Sequence, residues 1–167
     1  MNTLIRSLIS GDEPFLWEML YQALYVPIGS EPLPRDIIEL PEISRYAKNW
    51  GDANDLGFIA IDEINGSPIG AVWIRLYYGE NKGFGYIDDM TPEMSIAVLP
   101  GFRGCGVGSK LIAHLLNAVK SKFNAVSLSV SKDNPAARLY RRFGFETVES
   151  NGDSLVMIKR IGAVISL

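Results

Sequence analysis

The sequence lacks several features that are typical of secreted and membrane proteins. Its 167 residues include one cysteine, Cys105, so an internal disulfide cannot form and the chain suits a reducing compartment. No apolar run approaches the length of a membrane span, and Asp12-Glu13-Pro14 interrupts the N-terminus before a signal-peptide core could form. We therefore expect a cytoplasmic protein with no membrane partner.

Positive charge is not in excess either. The 16 lysines and arginines stand against 19 aspartates and glutamates, which gives a net charge of −3 and an isoelectric point near 5.2. This balance gives no reason to expect nucleic acid as a partner. The hydrophobic share of 47% and the charged share of 21% are ordinary for a globular protein. The length suits one domain rather than two, so we expect a single domain over residues 1–167.

The most distinctive stretch is a strand, a glycine-rich loop and a helix within residues 94–123. Residues 95–99 form an apolar strand pattern that Pro100-Gly101 ends, and the helix after the loop has apolar residues at helical spacing. Backbone N–H groups at such a turn, with the positive end of the helix dipole, form a site for an anion. Glycine lets the chain turn tightly and approach a phosphate closely. The loop glycines are Gly101, Gly104, Gly106 and Gly108, and the apolar helix residues are Leu111, Ile112, Leu115, Leu116 and Val119.

The spacing of this loop excludes two common nucleotide sites. A dinucleotide fingerprint G-x-G-x-x-G that starts at Gly104 would need a glycine where Ser109 lies. The loop of phosphate-binding NTPases needs Gly-Lys-Ser or Gly-Lys-Thr, whereas Gly108 is followed by Ser109 and then Lys110. What remains is R-x-x-G-x-G over residues 103–108, directly after Val-Leu-Pro.

A second pattern lies downstream, in residues 131–145. Asn134 is placed to cap a helix that Pro135 opens, and Gly144 follows the helix as its C-terminal stop. Together the two patterns resemble the GNAT superfamily of acyl-CoA N-acyltransferases, whose pyrophosphate loop reads [QR]-x-x-G-x-[GA]. The downstream match consists of Asn134, Ala137, Leu139-Tyr140 and Gly144-Phe145.

The patterns along the chain predict the element order β–α–α–β–β–β–α–β–α–β–β, in which hairpins precede helical crossovers and so imply a mixed sheet. The resemblance implies an α/β (α+β) fold of GNAT type, with a mostly antiparallel sheet of about six or seven strands and about four helices. The predicted strands cover residues 3–9, 56–63, 68–78, 95–99, 125–130, 145–150 and 154–160. The predicted helices cover residues 13–25, two pieces of 35–48 divided at Pro41, the segment after residue 108, and the segment after Pro135.

The resemblance also implies where acetyl-CoA, the co-substrate, would bind. The central strand would carry a bulge and pair through Ala97 and Val98 with the pantetheine arm, and an N–H near Val98 would polarise the thioester. Asn134 would border the pantetheine, and Tyr140 would supply a proton to the leaving thiolate. The pyrophosphate would lie on the backbone of Arg103, Gly104, Cys105, Gly106, Val107 and Gly108, together with Ser109.

The amine acceptor arrives protonated and needs a base. Glu93 is the first candidate because it lies at the start of the central strand, but one residue of slip would turn its side chain to the other face. It could equally be a solvated carboxylate at the strand end. Asp88, Asp89 and an ordered water are the alternatives.

The leading hypothesis is therefore an N-acetyltransferase that moves the acetyl group of acetyl-CoA to a primary amine of a small molecule or peptide, by direct attack in a ternary complex and without a metal. The alternative is a non-catalytic acyl-CoA-binding or sensing module of the same fold, which would have no need of Tyr140 as an acid. The acceptor determinants are expected in residues 17–46, where Trp17, Tyr21 and Tyr25 form an aromatic stripe at helical spacing. The resemblance is compatible with a homodimer.

Overall fold

The computed structural model describes residues 2–162, and within them the chain forms seven strands and four α-helices. The predicted order of elements is confirmed. The expected domain of residues 1–167 also includes residue 1 and residues 163–167, which lie outside the described residues. The strands are β1 (Thr3–Ser7), β2 (Leu56–Asp62), β3 (Pro68–Arg75), β4 (Glu93–Val98), β5 (Ala125–Ser131), β6 (Glu146–Asn151) and β7 (Ser154–Arg160), and the helices are α1 (Glu13–Ala23), α2 (Pro41–Ser44), α3 (Val107–Val119) and α4 (Ala136–Arg142).

The seven strands form one mixed sheet in the order β1–β2–β3–β4–β5–β7–β6. Only the β4–β5 pair is parallel, and the other five pairs are antiparallel. The predicted mixed, mostly antiparallel sheet is therefore confirmed. No helix within residues 2–162 has the length and apolar character needed to cross a membrane.

Several predicted boundaries shift by a few residues. Strand β3 ends at Arg75 rather than at residue 78, and α1 ends at Ala23. The segment around Pro41 divides as expected, into a 3-10 turn over Arg35–Glu39 and the short helix α2. Asp12 does not cap α1 with its side chain, because its carboxylate accepts the Ile9 N–H at 2.9 Å and pairs with Arg6.

The two faces of the sheet are covered by different helices. Helices α3 and α4 pack on one face and α1 and α2 on the other, so the sheet has an apolar layer on each side. Strand β3 shows the alternation: Val72 lies in the layer under α3, whereas Ala71 and Trp73 lie in the layer under α1. Burial on both faces explains why this strand is an unbroken apolar run.

Strands β4 and β5 pair at a single position and then diverge. Within residues 2–162 their one ladder pair joins Glu93 to Ser127, and the Ser127 N–H donates to the Pro92 carbonyl at 3.0 Å. On its other side β4 keeps an uninterrupted register with β3, through six pairs from Arg75–Glu93 to Gly70–Val98. The bulge expected in β4 is therefore wrong for this ladder. The divergence of the two strands, rather than a bulge, leaves the edge of β4 open.

Candidate active site

A cleft of about 290 Å³ lies where β4 and β5 diverge. Because the Leu99 N–H bonds to Ile69 of β3 at 2.8 Å, the alternation of an antiparallel ladder turns the N–H groups of Ile96 and Val98 toward the open side. The cleft thus has backbone donors along one wall. Its lining residues come from α1 and the residues after it (Leu20, Ala23, Leu24, Tyr25), the α2 region and the β3–β4 loop (Ile43, Tyr46, Phe84), β4 (Glu93, Met94, Ser95, Ile96), β5 (Leu128, Ser129, Val130, Ser131), and Asn134, Tyr140 and Ser154.

The glycine-rich loop leads into α3 as predicted. Gly104 and Gly106 have φ values of +75° and +84°, in the left-handed region that disfavours side chains. A Cβ added at either position would meet no atom within 4 Å, so the space beside the loop is open. The first turn of α3 has no side-chain cap, and its first helical bond runs from the Lys110 N–H to Gly106. Uncapped N–H groups at the start of a 13-residue helix suit a phosphate.

The loop residues differ in burial. Arg103, Gly104, Cys105 and Gly106 are exposed, and Val107 is buried in the core below α3. Gly108 and Ser109 are half-buried at the first turn of the helix. The predicted loop therefore presents its backbone to solvent along residues 103–106.

The side chain of Arg103 has a role that sequence reasoning missed. Its Nε donates to the Val98 carbonyl at 3.0 Å, and an Nη donates to the Gln22 side chain at 3.3 Å. Arg103 thus connects the loop to the end of β4 and to α1. Sequence gives no signal for this contact because Gln22 lies 81 residues away from Arg103.

Asn134 and Tyr140 lie on the α4 side of the cleft. The Asn134 side-chain oxygen accepts the Ala136 N–H at 2.9 Å, which confirms its predicted place at the start of the helix. Gly144, at φ +92°, follows α4 as predicted. Tyr140 is 8% exposed and its ring meets Phe145 edge-on at 6.1 Å. Burial raises the pKa of the Tyr140 phenol to about 12, so the group stays protonated at neutral pH.

Glu93 lies on the opposite side of the cleft. Its side chain is 3% exposed, which rules out a solvated carboxylate at the strand end. Oε1 accepts the N–H of Gly85, and Oε2 is buried without a hydrogen-bond partner among residues 2–162. Burial raises the pKa of the carboxyl group to about 7, against a smaller lowering by the Tyr46 hydroxyl and the Gly85 N–H.

Tyr46 is the second residue that sequence reasoning missed. Its hydroxyl oxygen accepts the Phe84 N–H at 2.7 Å, and the two rings stack at 6.3 Å with an interplanar angle of 7°. The ring of Tyr77 packs on Tyr46 at 5.0 Å. The motif Gly-Phe-Gly, close before a strand that begins with an acidic residue, is the signal that could have drawn attention to this region.

The alternative bases lie outside the cleft. Asp88 is exposed, and its Oδ1 accepts the Met90 N–H and the Thr91 hydroxyl at 2.9 Å each. Asp89 is also exposed and accepts the Tyr86 hydroxyl at 2.6 Å. Both carboxylates therefore accept hydrogen bonds within the turn before β4. Neither is among the residues that line the cleft.

Of the predicted aromatic stripe, Tyr25 alone lines the cleft, and it lies two residues beyond the end of α1. Its hydroxyl donates to the Asp133 carbonyl at 3.1 Å. Tyr21 instead donates to the Leu33 carbonyl at 2.6 Å, and Trp17 donates to Glu13 at 3.3 Å. Tyr25 is thus a cleft residue, Tyr21 binds the loop at Leu33, and Trp17 bonds within its own helix. Within residues 2–162 there is no group of three or more His, Cys, Asp or Glu side chains that could hold a metal ion.

Comparison with known proteins agrees with this geometry. Residues 16–145, which include the loop, Glu93 and Tyr140, match the family model described as the acetyltransferase (GNAT) family. The chain belongs to the GNAT acetyltransferase family.

Among GNAT relatives, an N-alpha-acetyltransferase of Sulfolobus acidocaldarius is 35% identical over 110 residues. The alignment spans 62% of this chain and 62% of that relative. The ribosomal-protein-S18-alanine N-acetyltransferase of Escherichia coli superposes with a TM-score of 0.68 at 20% identity, over 99% of both chains. The PaiA N-acetyltransferase of Thermoplasma acidophilum in complex with coenzyme A gives 0.67 at 22% identity, over 96% of this chain and 99% of that one. At such identities the two structural likenesses show the fold.

Proposed function

We propose that this GNAT protein is an N-acetyltransferase that moves the acetyl group of acetyl-CoA to a primary amine of a small molecule or peptide. The observation that carries the proposal is the cleft itself, in which a buried carboxylate and a buried phenol line one opening beside an uncapped helix N-terminus. The Sulfolobus relative, an N-alpha-acetyltransferase, supports the same activity.

Acetyl-CoA fits the open edge of β4 and the loop before α3. The N–H groups of Ile96 and Val98 would hold the pantetheine arm as an added strand, because β5 has already diverged from this part of β4. The expected contribution of Ala97 is wrong for its N–H, which bonds to β3 instead. The N–H groups of residues 103–108, with Ser109, would hold the pyrophosphate at the positive end of α3. Asn134 would border the arm from the α4 side. The open space beside Gly104 and Gly106 supports this fit.

The residues of the cleft supply a base and an acid for the proton transfers that direct acetyl transfer needs. Glu93 would take the proton of the ammonium group, through a water in the cleft because the carboxylate itself is buried. The free amine then attacks the thioester carbonyl, and the Val98 N–H would stabilise the oxyanion that forms. Tyr140 would donate its proton to the sulfur as the C–S bond breaks, which leaves CoA as the thiol. The nitrogen of the new amide then loses its second proton, which returns to the Tyr140 phenolate and restores the phenol.

The α-amine of a peptide is the first acceptor class to test. An N-alpha-acetyltransferase among the relatives supports it, and the acceptor would enter past Tyr46, on the side of the cleft away from α4. We also propose that residues 1–167 act as one domain and that the protein works in the cytoplasm, which its single exposed cysteine suits.

A thiol-release assay tests the proposal. Wild-type protein and the Tyr140→Phe variant are incubated with acetyl-CoA and a panel of peptides, polyamines and amino acids, and free CoA is measured with the acetylated product. We expect release that depends on the amine and falls strongly in the variant. Tight binding of acetyl-CoA without release on any amine would instead support the non-catalytic CoA-binding module.

A further inference from the structure

The carboxyl group of Glu93 is enclosed by the Gly-Phe-Gly segment (residues 83–85) of the β3–β4 loop. Gly85 donates its N–H to Oε1, so this oxygen is fixed. A Cβ added at Gly83 would collide with Glu93 Oε2 and would come within 2.6 Å of the Tyr46 hydroxyl. Oε2 and the hydroxyl therefore face the same point of the segment. A side chain at position 83 would push into the carboxyl group.

The segment is itself held by Tyr46. The Phe84 N–H donates to the Tyr46 hydroxyl oxygen at 2.7 Å, and the Phe84 ring stacks on the Tyr46 ring. Phe84 is 59% exposed, and these two contacts attach it to Tyr46. The Tyr46 hydroxyl keeps its own proton free, and Oε2 of Glu93 is an acceptor still without a partner.

Tyr46 is in turn held rigidly from behind. The Arg75 guanidinium donates to the carbonyls of Arg45 and Lys48 at 3.1 and 2.7 Å, on either side of Tyr46, and pairs with Asp55 at 3.0 Å. Arg75 lies on β3 directly opposite Glu93 in the ladder. Strand β3, which pairs with the strand that carries the carboxylate, is thus connected to the chain that carries Tyr46 through one buried side chain.

We propose that Tyr46 is the positioning residue of this site: it holds residues 83–85 against Glu93, so that Gly85 fixes Oε1 and the Tyr46 hydroxyl faces Oε2. This inference rests on the proposed role of Glu93 as the base. It assigns the proton of the acceptor ammonium to Oε2, because Oε1 is occupied. It also explains why both positions beside Phe84 are glycine, since a Cβ at either would strike the carboxyl group.

Other charged and titratable groups near the carboxyl group do not have this geometry. Arg45 is directed to the Lys82 carbonyl at 2.7 Å, and Arg75 is committed to Asp55 and the carbonyls behind Tyr46. Tyr77 is packed on Tyr46, and its hydroxyl is buried without a partner within residues 2–162. Tyr77 is therefore a matched control, as an equally buried tyrosine beside the site that holds no part of the segment.

The test compares Tyr46→Phe with Tyr77→Phe by two measurements. One is the pH dependence of kcat/KM for the amine, measured at saturating acetyl-CoA. The other is a titration of the Glu93 carboxyl by NMR with isotope-labelled glutamate, assigned through Glu93→Gln, which needs no turnover. Loss of the Tyr46 hydroxyl removes a group that favours the carboxylate, so the apparent pKa should rise by about one pH unit, or tenfold in proton affinity. Tyr77→Phe should leave it in place, and the KM for acetyl-CoA should change in neither variant.

Gly83→Ala is the second variant, because its methyl group meets the carboxyl group and the Tyr46 hydroxyl first. It should raise the Glu93 pKa and lower kcat without changing the KM for acetyl-CoA. An unmoved Glu93 titration in Tyr46→Phe or Gly83→Ala overturns the inference, as does an equal shift in Tyr77→Phe. If the wild type turns over no amine but the NMR shift appears in Tyr46→Phe alone, positioning by Tyr46 stands and the proposed function fails.

Discussion

Glu93 and Tyr140 line the same cleft, but they approach it from opposite faces of the sheet. Glu93 lies beside Tyr46, in the layer under α1 and α2, whereas Tyr140 belongs to the layer under α3 and α4. The gap between β4 and β5 is what allows the two side chains to meet one opening. A base and an acid on opposite faces suit an acceptor and an acyl donor that enter from opposite faces.

The first prediction concerns Glu93→Gln. The glutamine keeps an oxygen for the Gly85 N–H but cannot take a proton, so kcat/KM should fall by ~10²–10⁴-fold below the pKa of the amine. In the wild type, kcat/KM should rise with pH through about 7, because the carboxylate form is the base. The measurement is a pH–rate profile of both proteins. Asp89→Asn, which changes an exposed carboxylate outside the cleft, is the control; a wild-type profile in Glu93→Gln would leave an ordered water as the base.

The second prediction concerns Tyr140→Phe. The change removes only the hydroxyl, so packing on Phe145 and the Kd for acetyl-CoA should be nearly preserved. The turnover number should fall by ~10–10³-fold, because the lost interaction is made mainly in the transition state. Calorimetry gives the Kd and a steady-state assay gives kcat on the same preparation. Full turnover in the variant would make Tyr140 a packed aromatic, and a large loss of affinity would make its role one of binding.

The third prediction concerns Gly106→Val. Gly106 has φ +84°, so a valine there is strained and also occupies the space open to a phosphate. CoA at ~100 times its Kd should stabilise the wild type by about 2.7 kcal/mol, and the variant should lose this gain. Gly66→Val is the matched control, since Gly66 has φ +74° and equally open space in the β2–β3 turn. The measurement is thermal unfolding with and without CoA. If CoA stabilised Gly106→Val as much as the wild type, the pyrophosphate would bind elsewhere.

The fourth prediction concerns stability against pH. The pKa of Glu93 is raised from 4.5 to about 7 in the folded protein, so the native state holds a proton that the unfolded chain releases. The stabilisation is complete below about pH 4.5 and is lost as pH rises through about 7. Glu93→Gln lacks this dependence. Relative to the wild type its free energy of unfolding should rise by up to about 3 kcal/mol between pH 4.5 and 8, as measured by denaturant titrations. Parallel curves for the two proteins would contradict a raised pKa.

The parts of the fold and site that sequence could predict are the local ones. The helical spacing of Leu111 to Val119, the turn at Gly104 and Gly106, and the start of α4 at Asn134 depend on neighbours within a few residues, and the structure confirms all three. The order of elements followed in the same way. These features depend on local backbone conformation and on burial of one face of an element. Both can be predicted from short stretches of sequence.

The parts that sequence could not predict depend on contacts between distant residues. The face on which Glu93 lies follows from its register with Arg75, and its burial follows from a loop that folds back over it. Tyr46 contacts Phe84 across 38 residues, and although Gly-Phe-Gly marks that segment, nothing in the sequence relates it to Tyr46. The expected bulge was wrong because the open edge of β4 arises from the divergence of β5, which no local signal encodes.

The single pair between Glu93 and Ser127 divides the sheet into two subsheets, β1–β4 and β5–β7–β6. In hydrogen–deuterium exchange, amide protection should therefore alternate along β4. The amide of Ala97 is bonded to β3 and should be protected, whereas the amides of Ile96 and Val98 face the gap and should exchange faster. A pantetheine arm in the gap would bind the open edge of β4 and so bridge the two subsheets. The two subsheets already share the apolar core under α3 and α4, and the co-substrate would add the backbone bonds that the gap between them lacks.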